Sequence, residues 1–265
     1  AKAAATHTGA LAGSDAVYDA AFRRAGLLRV HDISELFAAA EAIGRIRPFN
    51  GDRLAILTNG GGLGVITTDN LLDLGGKLAD LSADIRDRLD KDMPSTWSRA
   101  NPVDIVGDAD AKRFRIALEA LLDDPANDAI TIVHCPTALS DSEEAALEVA
   151  DVVHQYRRKT IAPKPVFAVW LGATERTTQI FEEAHIPNYR FGATRGFMHM
   201  VRWRNNRDAL MAVPPNLPSD FAPNVAKARS IVQKALAQGQ TWLDPVEVTD
   251  LFEAYDIPCA PARLA

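Results

Sequence analysis

The chain has 265 residues, of which 47% are hydrophobic and 24% are charged, and its formal net charge is −6. An acidic chain lacks the broad basic surface that nucleic acids and anionic membranes require, so neither is expected as its main partner. No apolar run approaches the roughly 20 residues of a membrane span and no signal peptide is present, so a cytoplasmic protein is predicted.

The first predicted elements are two amphipathic helices that follow a short loop, T-H-T-G-A-L-A-G, at residues 6–13. Ser14 is expected to cap the first helix, and Asp32 the second, which should end before Pro48. The chain opens on A-K-A-A-A, typical of a helix interior, and closes on C-A-P-A-R-L-A, typical of a strand that has just begun. Both ends therefore predict a piece from the middle of a longer polypeptide.

From residue 51 onward, continuous apolar segments alternate with helical segments. The predicted strands are L-A-I-L-T-N at residues 54–59, Ala129 to Cys135 and Pro165 to Leu171. Apolar strands separated by helices predict a parallel sheet that is covered on both faces. There are too few such units for a closed barrel, so we predict an α/β fold with an open parallel sheet of the flavodoxin type and flanking helical segments.

The clearest boundary lies near the end of the chain. A helix over Gly192 to Met211 should close the sheet domain, and the proline-rich stretch P-P-N-L-P-S-D-F-A-P, residues 214–223, predicts a linker. Beyond it, Ala222 to Gly239 and Pro245 to Tyr255 are expected to form two helices of another unit.

A glycine loop follows the first buried strand and opens a helix. Its candidate anion-binding residues are Asn59, Gly60, Gly61, Gly62 and Gly64. Glycines let a backbone approach a ligand closely, and the free N–H groups of a helix N-terminus favour an anion such as phosphate. The spacing matches neither the dinucleotide fingerprint nor the P-loop. A tight strand-to-helix turn without a ligand is the alternative.

His7 lies between two threonines and close to Gly9. A neutral imidazole is a competent nucleophile near pH 7 and can carry a phosphoryl group, so His7 is the candidate catalytic residue. An exposed histidine without a role is the alternative. Asp104, in the segment N-P-V-D, could orient the histidine loop or cap the next helix, and the cap is favoured.

The remaining histidines give no sign of a metal site. His134 and His199 lie in apolar segments and are expected to be hydrogen-bonded core or interface residues. The others have no carboxylate or cysteine at metal-ligand spacing, so no protein-bound metal is predicted.

Several segments together resemble one family. The segment that begins T-H-T-G-A-L-A-G-S-D, together with L-A-I-L-T-N-G-G-G-L-G, W-S-R-A-N-P-V-D-I and the linker, is similar to the NDP-forming (ADP-forming) acyl-CoA synthetases, relatives of succinyl-CoA synthetase. That family combines a CoA-binding Rossmann domain, two flavodoxin-like ligase domains and an ATP-grasp module. The resemblance implies that residues 1–48 end the first ligase domain, 49–213 form the second, 214–223 are the linker and 224–265 begin the ATP-grasp module.

The resemblance also implies a function. His7 would accept phosphate and relay it between the acyl-CoA and nucleotide sites, and residues 59–64 would form one of two helix N-termini that hold the phosphohistidine. The whole protein would join a small carboxylic acid to CoA while ATP, bound with Mg²⁺, becomes ADP. CoA and nucleotide would bind mainly outside this chain, so the isolated chain is expected to be inactive. Homo-oligomers through the ligase domains are expected to be possible.

Two alternatives remain open at this point. The segment F-M-H-M-V-R-W-R-N-N is similar to single-chain members, some of which carry a fused GNAT domain and acetylate protein lysines. The chain could then be an acyl-CoA-sensing module of a lysine acetyltransferase, with His7 chemically idle. A flavodoxin-like interaction domain is the third possibility. The presence of His7 and of the glycine loop favours the synthetase.

Overall fold

The computed structural model describes residues 14–212 and 221–260, which excludes His7 and most of the predicted linker. The chain forms two compact units, Ala1–Met211 and Ala212–Ala265. Within the described residues, every helix is too short or too polar to cross a membrane. The two units are described separately.

The first unit alternates helices with short strands after two leading helices. In chain order its described elements are α1 (Asp15–Arg24), α2 (Ile33–Arg45), β1 (Arg53–Thr58), α3 (Gly61–Asp73), β2 (Lys77–Leu78), α4 (Ala83–Asp92), β3 (Val103–Asp104), α5 (Ala111–Asp123), β4 (Ala129–His134), α6 (Ser142–Lys159), β5 (Val166–Trp170), α7 (Glu175–Glu183), β6 (Asn188–Tyr189) and α8 (Ala193–Met211).

All strand pairs in the described sheet are parallel, in the order β2–β1–β4–β5–β6. The short strand β3 also pairs with β1, but at its other end: Arg53 of β1 is in register with Lys77 of β2, and Leu57 with Val103 of β3. Without β3 this is the strand order of flavodoxin-like sheets. The predicted α/β class and sheet type are therefore confirmed.

The side chain of Asn101 fills the gap between β2 and β3 along the edge of β1. Its Oδ1 accepts from the amide of Ile56 at 2.9 Å, and its Nδ2 donates to the carbonyls of Leu54 at 3.0 Å and Ala79 at 2.8 Å. Only this orientation of the amide satisfies all three partners. Asn101 thus replaces a missing piece of strand and pairs backbone groups of β1 at this edge.

The sheet is covered on both faces, as its apolar strands predict. One face packs against α4 to α7 through large buried side chains that include Phe114, Trp170 and Phe181. The other face packs against α3 and α8, with Phe167 and Phe197 in edge-to-face contact at 6.2 Å between ring centroids, and α2 packs on α8 in the same cluster. Since α2 packs against α8, its residues join the same compact unit as the strands. The domain boundary expected after α2 stays a prediction.

The helix caps follow the sequence in most places. Asp32 caps α2 through a bond from the amide of Glu35 at 2.7 Å, as predicted. Ser14 occupies the N-cap position of α1, as predicted, but its side chain makes no capping hydrogen bond. Helix α1 buries none of its residues, and the segment after it bonds to α8, where the carbonyl of Leu27 accepts from Asn206 at 2.8 Å.

The second unit contains two described helices, α9 (Val225–Ala237) and α10 (Pro245–Glu253). Asp244 and Glu247 form a capping box at the start of α10, with Pro245 as the first helical residue. Both helices were expected from the sequence at nearly these bounds.

Candidate functional site

The glycine loop forms the N-terminus of α3 at the carboxyl edge of the sheet. Strand β1 ends at Thr58 and α3 begins at Gly61, with Gly60 in the N-cap position and no side chain capping the helix. Gly61 and Gly62 are exposed. The first amides of an α-helix lack intrahelical acceptors, so this terminus presents N–H groups and the positive end of the helix dipole to a ligand.

The loop lies at the switch point of the sheet. The chain passes from β1 to β2 on one side and later returns to β4 on the other side of β1, so the carboxyl ends of β1 and β4 mark the topological switch point. Ligands of open α/β sheets bind at this point. The local sequence places the glycine loop after a strand, but only the strand order places it at the switch point.

Asn59 holds the two strand ends together. Its Nδ2 donates to the carbonyl of Cys135 at 2.8 Å, and its Oδ1 accepts from the amide of Cys135 at 2.7 Å. The Asn59 side chain is 2% exposed, so these bonds form in a largely dry environment. The side chain of Asn59, one of the candidate anion-binding residues, is therefore occupied in binding the backbone of Cys135.

Thr58 positions the first glycine of the loop. Its Oγ1 accepts from the amide of Gly60 at 3.0 Å and donates to the carbonyl of Val133 at 2.8 Å. A Cβ at Gly60 would lie 2.9 Å from the Cβ of Cys135, so only glycine fits this position. Neither Thr58 nor Cys135 was singled out from the sequence. Both residues lie at the carboxyl ends of predicted apolar strands, and this position could have marked them as neighbours of the glycine loop.

Asp104 lies against the glycine loop. One carboxylate oxygen is 2.6 Å from the position that a Cβ of Gly61 would take, so the absence of a side chain at Gly61 lets the carboxylate reach the helix N-terminus. The other oxygen accepts from the amide of Val106 at 2.9 Å. This bond to the amide two residues on forms an Asx turn, and Val106 has φ 71°, which is unusual for a β-branched residue.

The favoured interpretation of Asp104 as a helix cap is wrong. Helix α5 is capped by Asp110, whose side chain accepts from the amide of Arg113 at 2.8 Å. The loop between Asp104 and Asp110 crosses the carboxyl edge of β1, where Thr137 donates to the carbonyl of Gly107 at 2.8 Å. Asp104 thus lies against the glycine loop instead of capping α5.

His134 and His199 are both buried, but they are not the hydrogen-bonded histidines that were expected. Neither ring has a hydrogen-bond partner among the described residues. His134 instead stacks on Trp170, with ring centroids 4.2 Å apart and an interplanar angle of 9°. Burial lowers the pKa of His134 to about 4, and it also lowers the pKa of His199. Both rings are therefore neutral packing groups at pH 7.

The buried His134 predicts a pH-dependent stability. Its pKa is about 4 in the folded state against an ordinary value of 6.5, so the unfolded chain binds a proton first as the pH falls. Stability from this residue is present above pH 6.5 and is lost between pH 6.5 and 4, by roughly 2 kcal/mol from pH 7 to pH 5. Urea unfolding of His134→Phe should lack this loss, whereas exposed His154→Gln should keep it. Equal losses in both variants would contradict the prediction.

Comparison with known proteins gives the family. Residues 54–209 match the model of the ligase-CoA domain, and residues 1–43 match that of the succinyl-CoA ligase like flavodoxin domain. Together, the open parallel sheet and the match to the ligase-CoA domain model give the class, an α/β domain of the CoA-ligase type. The chain belongs to the ADP-forming acyl-CoA synthetase family.

Curated relatives of the chain are ADP-forming ligases. The chain is 33% identical to the 4-hydroxybutyrate–CoA ligase of Nitrosopumilus maritimus. The match covers the whole of this chain and 37% of that ligase. The chain is 39% identical over 71% of its length to the alpha subunit of acetate–CoA ligase I of Pyrococcus furiosus, covering 40% of that subunit. The chain therefore spans well under half the length of these relatives.

A solved structure has the same fold. The dinucleotide-forming acetyl-coenzyme A synthetase 1 of Ca. Korarchaeum cryptofilum, in complex with phosphate and ADP, matches with a TM-score of 0.72 and 30% identity. The match covers 80% of this chain and 47% of that protein.

Proposed function

We propose that this chain is part of an ADP-forming acyl-CoA synthetase and that its glycine loop receives His7 in the phosphorylated form. The observation that carries the proposal is the uncapped N-terminus of α3 beside the Asp104 carboxylate. The relatives support the reaction class, since each of those named above is a ligase or synthetase that forms a CoA ester.

The pairing of a helix N-terminus with a carboxylate suits phosphohistidine better than free phosphate. A free phosphate at the amides of Gly61 and Gly62 would be repelled by the nearby Asp104 carboxylate. A phosphohistidine carries the phosphoryl group on one ring nitrogen and can keep an N–H on the other. The phosphoryl oxygens would accept from the helix amides while the ring N–H donates to Asp104. In this proposal Asp104 orients the histidine.

The proposed reaction has three steps. A ring nitrogen of His7 takes the γ-phosphoryl group of ATP and ADP leaves. An oxygen of the substrate carboxylate then attacks that phosphorus, which forms the acyl phosphate and frees His7. The CoA thiol, losing its proton, finally attacks the acyl carbon and releases phosphate. His7 is the nucleophile in the first step, and the glycine loop stabilises the charged phosphoryl group between steps.

The other parts of the machinery are also proposals. Residues 1–48 would end one ligase domain, 49–213 form the next, and 224–265 begin the ATP-grasp module. CoA, ATP or ADP, and the Mg²⁺ that accompanies the nucleotide would bind mainly outside this chain, and homo-oligomers stay a prediction. The relatives named above lend no support to a regulatory module of a lysine acetyltransferase.

The test is to locate the phosphate. We expect the full-length protein that contains this chain, incubated with Mg-ATP, to carry one phosphoryl group on His7. The site can be mapped by mass spectrometry at alkaline pH, which preserves phosphohistidine, and the label should disappear when a carboxylic acid and CoA are added. A phosphate that stays after this chase, or one on another residue, would contradict the proposal.

A further inference from the structure

A second concave site lies at the opposite edge of the sheet in the first unit. Its volume is about 540 Å³, and it forms where the segment before β1 meets the segment before β5. In a parallel sheet these segments share the amino-terminal edge. Strand β1 has six residues, so the glycine loop lies roughly 20 Å away at the other edge.

The walls of this cavity are strongly basic. The cationic or titratable side chains that line it are Arg45, Arg47, Arg157, Lys164 and His185, and its described lining includes no acidic side chain. In a chain with a net charge of −6, such a concentration of one charge is unexpected. It indicates a local function for positive charge.

Two of these charges have compensating carboxylates nearby. Arg45 lies 3.6 Å from Glu41 and 3.9 Å from Glu182. Lys164, in a half-buried position, donates to two backbone carbonyls, and neighbouring aspartates that include Asp124 attract its charge. These two groups are consistent with a structural role.

Arg157 and Arg47 have no carboxylate partner among the described residues. The guanidinium of Arg157 donates to the carbonyls of Ala184 at 2.6 Å and His185 at 3.2 Å, which uses two of its five N–H groups. Burial lowers the pKa of Arg157, and the positive charge of Arg47 lowers it further. Hydrogen bonds to the C-terminal end of α7 account for the half-buried position of the Arg157 side chain. They do not account for the exposed Arg47, which lines the same cavity.

Arg47 and Arg157 line the same cavity, and holding two positive charges near each other, with that of Arg157 partly desolvated, costs free energy. A bound anion offsets this cost because it neutralises both charges. Guanidinium groups match phosphate oxygens in geometry as well as charge. The volume falls within the usual range for small-molecule sites, and Ile43, Pro48 and Pro163 add apolar surface for a ligand body. We propose that this cavity binds a diphosphate-bearing small molecule, at a site separate from the glycine loop.

Titration calorimetry of the chain at low salt tests the proposal with two probes, inorganic pyrophosphate and ADP. We expect both to bind, and added NaCl to weaken binding. Arg47→Gln should weaken the affinity at least ~10-fold, because one charge-assisted hydrogen-bond donor is lost. Arg47→Glu should abolish binding. Tighter binding of ADP than of pyrophosphate would mean that the apolar wall holds the nucleoside. Equal affinities would mean that the diphosphate alone is recognised.

Two control variants distinguish binding in this cavity from binding elsewhere on the chain. Arg158→Gln removes the same charge from the adjacent exposed position of α6 and should leave the affinity unchanged. Gly62→Asp, which blocks the glycine loop, should also leave it unchanged. The proposal is overturned if neither probe binds in the millimolar range, if Arg47→Gln binds as well as the wild type, or if Gly62→Asp removes binding. Because the glycine-loop proposal is tested by phosphate on His7, the two can fail independently.

Discussion

We expect His7→Ala to lower acyl-CoA synthesis by the full-length protein at least ~1,000-fold, since the loss of a covalent nucleophile removes the route through the intermediate. Synthesis can be followed as CoA thiol consumption in the presence of Mg-ATP and a carboxylic acid. His7 lies outside the described residues, so the thermal unfolding of the variant should be measured to show that its fold is intact.

His154→Ala is the matched control for this substitution. His154 is exposed on α6 and has no part in the site, so its variant should keep wild-type activity. An active His7→Ala enzyme would show that the phosphoryl group does not pass through this residue. The glycine loop would then be a ligand-free turn, or would bind some other anion.

The second large effect is expected from Gly62→Asp. A Cβ at Gly62 meets no heavy atom within 4 Å, and the residue is exposed in the first turn of α3, so the helix accommodates a side chain. A carboxylate there interacts favourably with the helix dipole and replaces a flexible glycine, while the nearby Asp104 carboxylate repels it, so these effects offset and stability should change little. The same carboxylate repels the phosphoryl group, and activity should fall ~100-fold.

Gly62→Asn has nearly the same size and no charge. It should retain most of the activity, which separates electrostatic repulsion from steric hindrance. Urea unfolding and activity should both be measured, because the prediction is a loss of activity without a loss of stability. If the Asp and Asn variants are equally active, the N-terminus of α3 does not bind the phosphoryl group.

The glycine-loop site combines a feature of local sequence with residues that only the fold brings close to it. The glycine string determines that a helix begins without a side-chain cap, and this is a local property of residues 60–64. The residues around the N-terminus of that helix are distant from it in sequence. Asp104 lies against Gly61, and the Asn59 side chain forms two hydrogen bonds with the backbone of Cys135. Their roles depend on which strands are neighbours.

Asp104 shows why the sequence alone misassigned one residue. An aspartate that follows a short strand and precedes a helix has the local signature of an N-cap, and Asp110 has the same signature six residues later. Only the fold distinguishes them: Asp110 bonds the amide of Arg113, while the pairing of β3 with β1 places Asp104 against the glycine loop. The pairing of β3 with β1, which no local sequence pattern specifies, gives these two aspartates different positions in the fold.

The elements that were predicted correctly are those with strong local signals. Continuous apolar strands such as Ala129–His134, capped helices such as Ile33–Arg45 and the glycine-opened helix follow from periodicity and capping chemistry. The two-residue strands β2 and β6 carry no periodic signal and were not predicted. They exist because β1 and β5 offer them backbone partners.

By itself, therefore, the sequence determined the fold class, the family resemblance, the glycine loop and the candidate histidine, because each depends on the order of neighbouring residues. Tertiary structure decided that the loop lies at a switch point, that Asn101 replaces a piece of strand, and that Asp104 faces the helix N-terminus. It also brought Arg47 beside Arg157 across more than a hundred residues of chain. Such contacts depend on strand order and helix packing, which long-range burial of apolar surface selects and no short segment encodes.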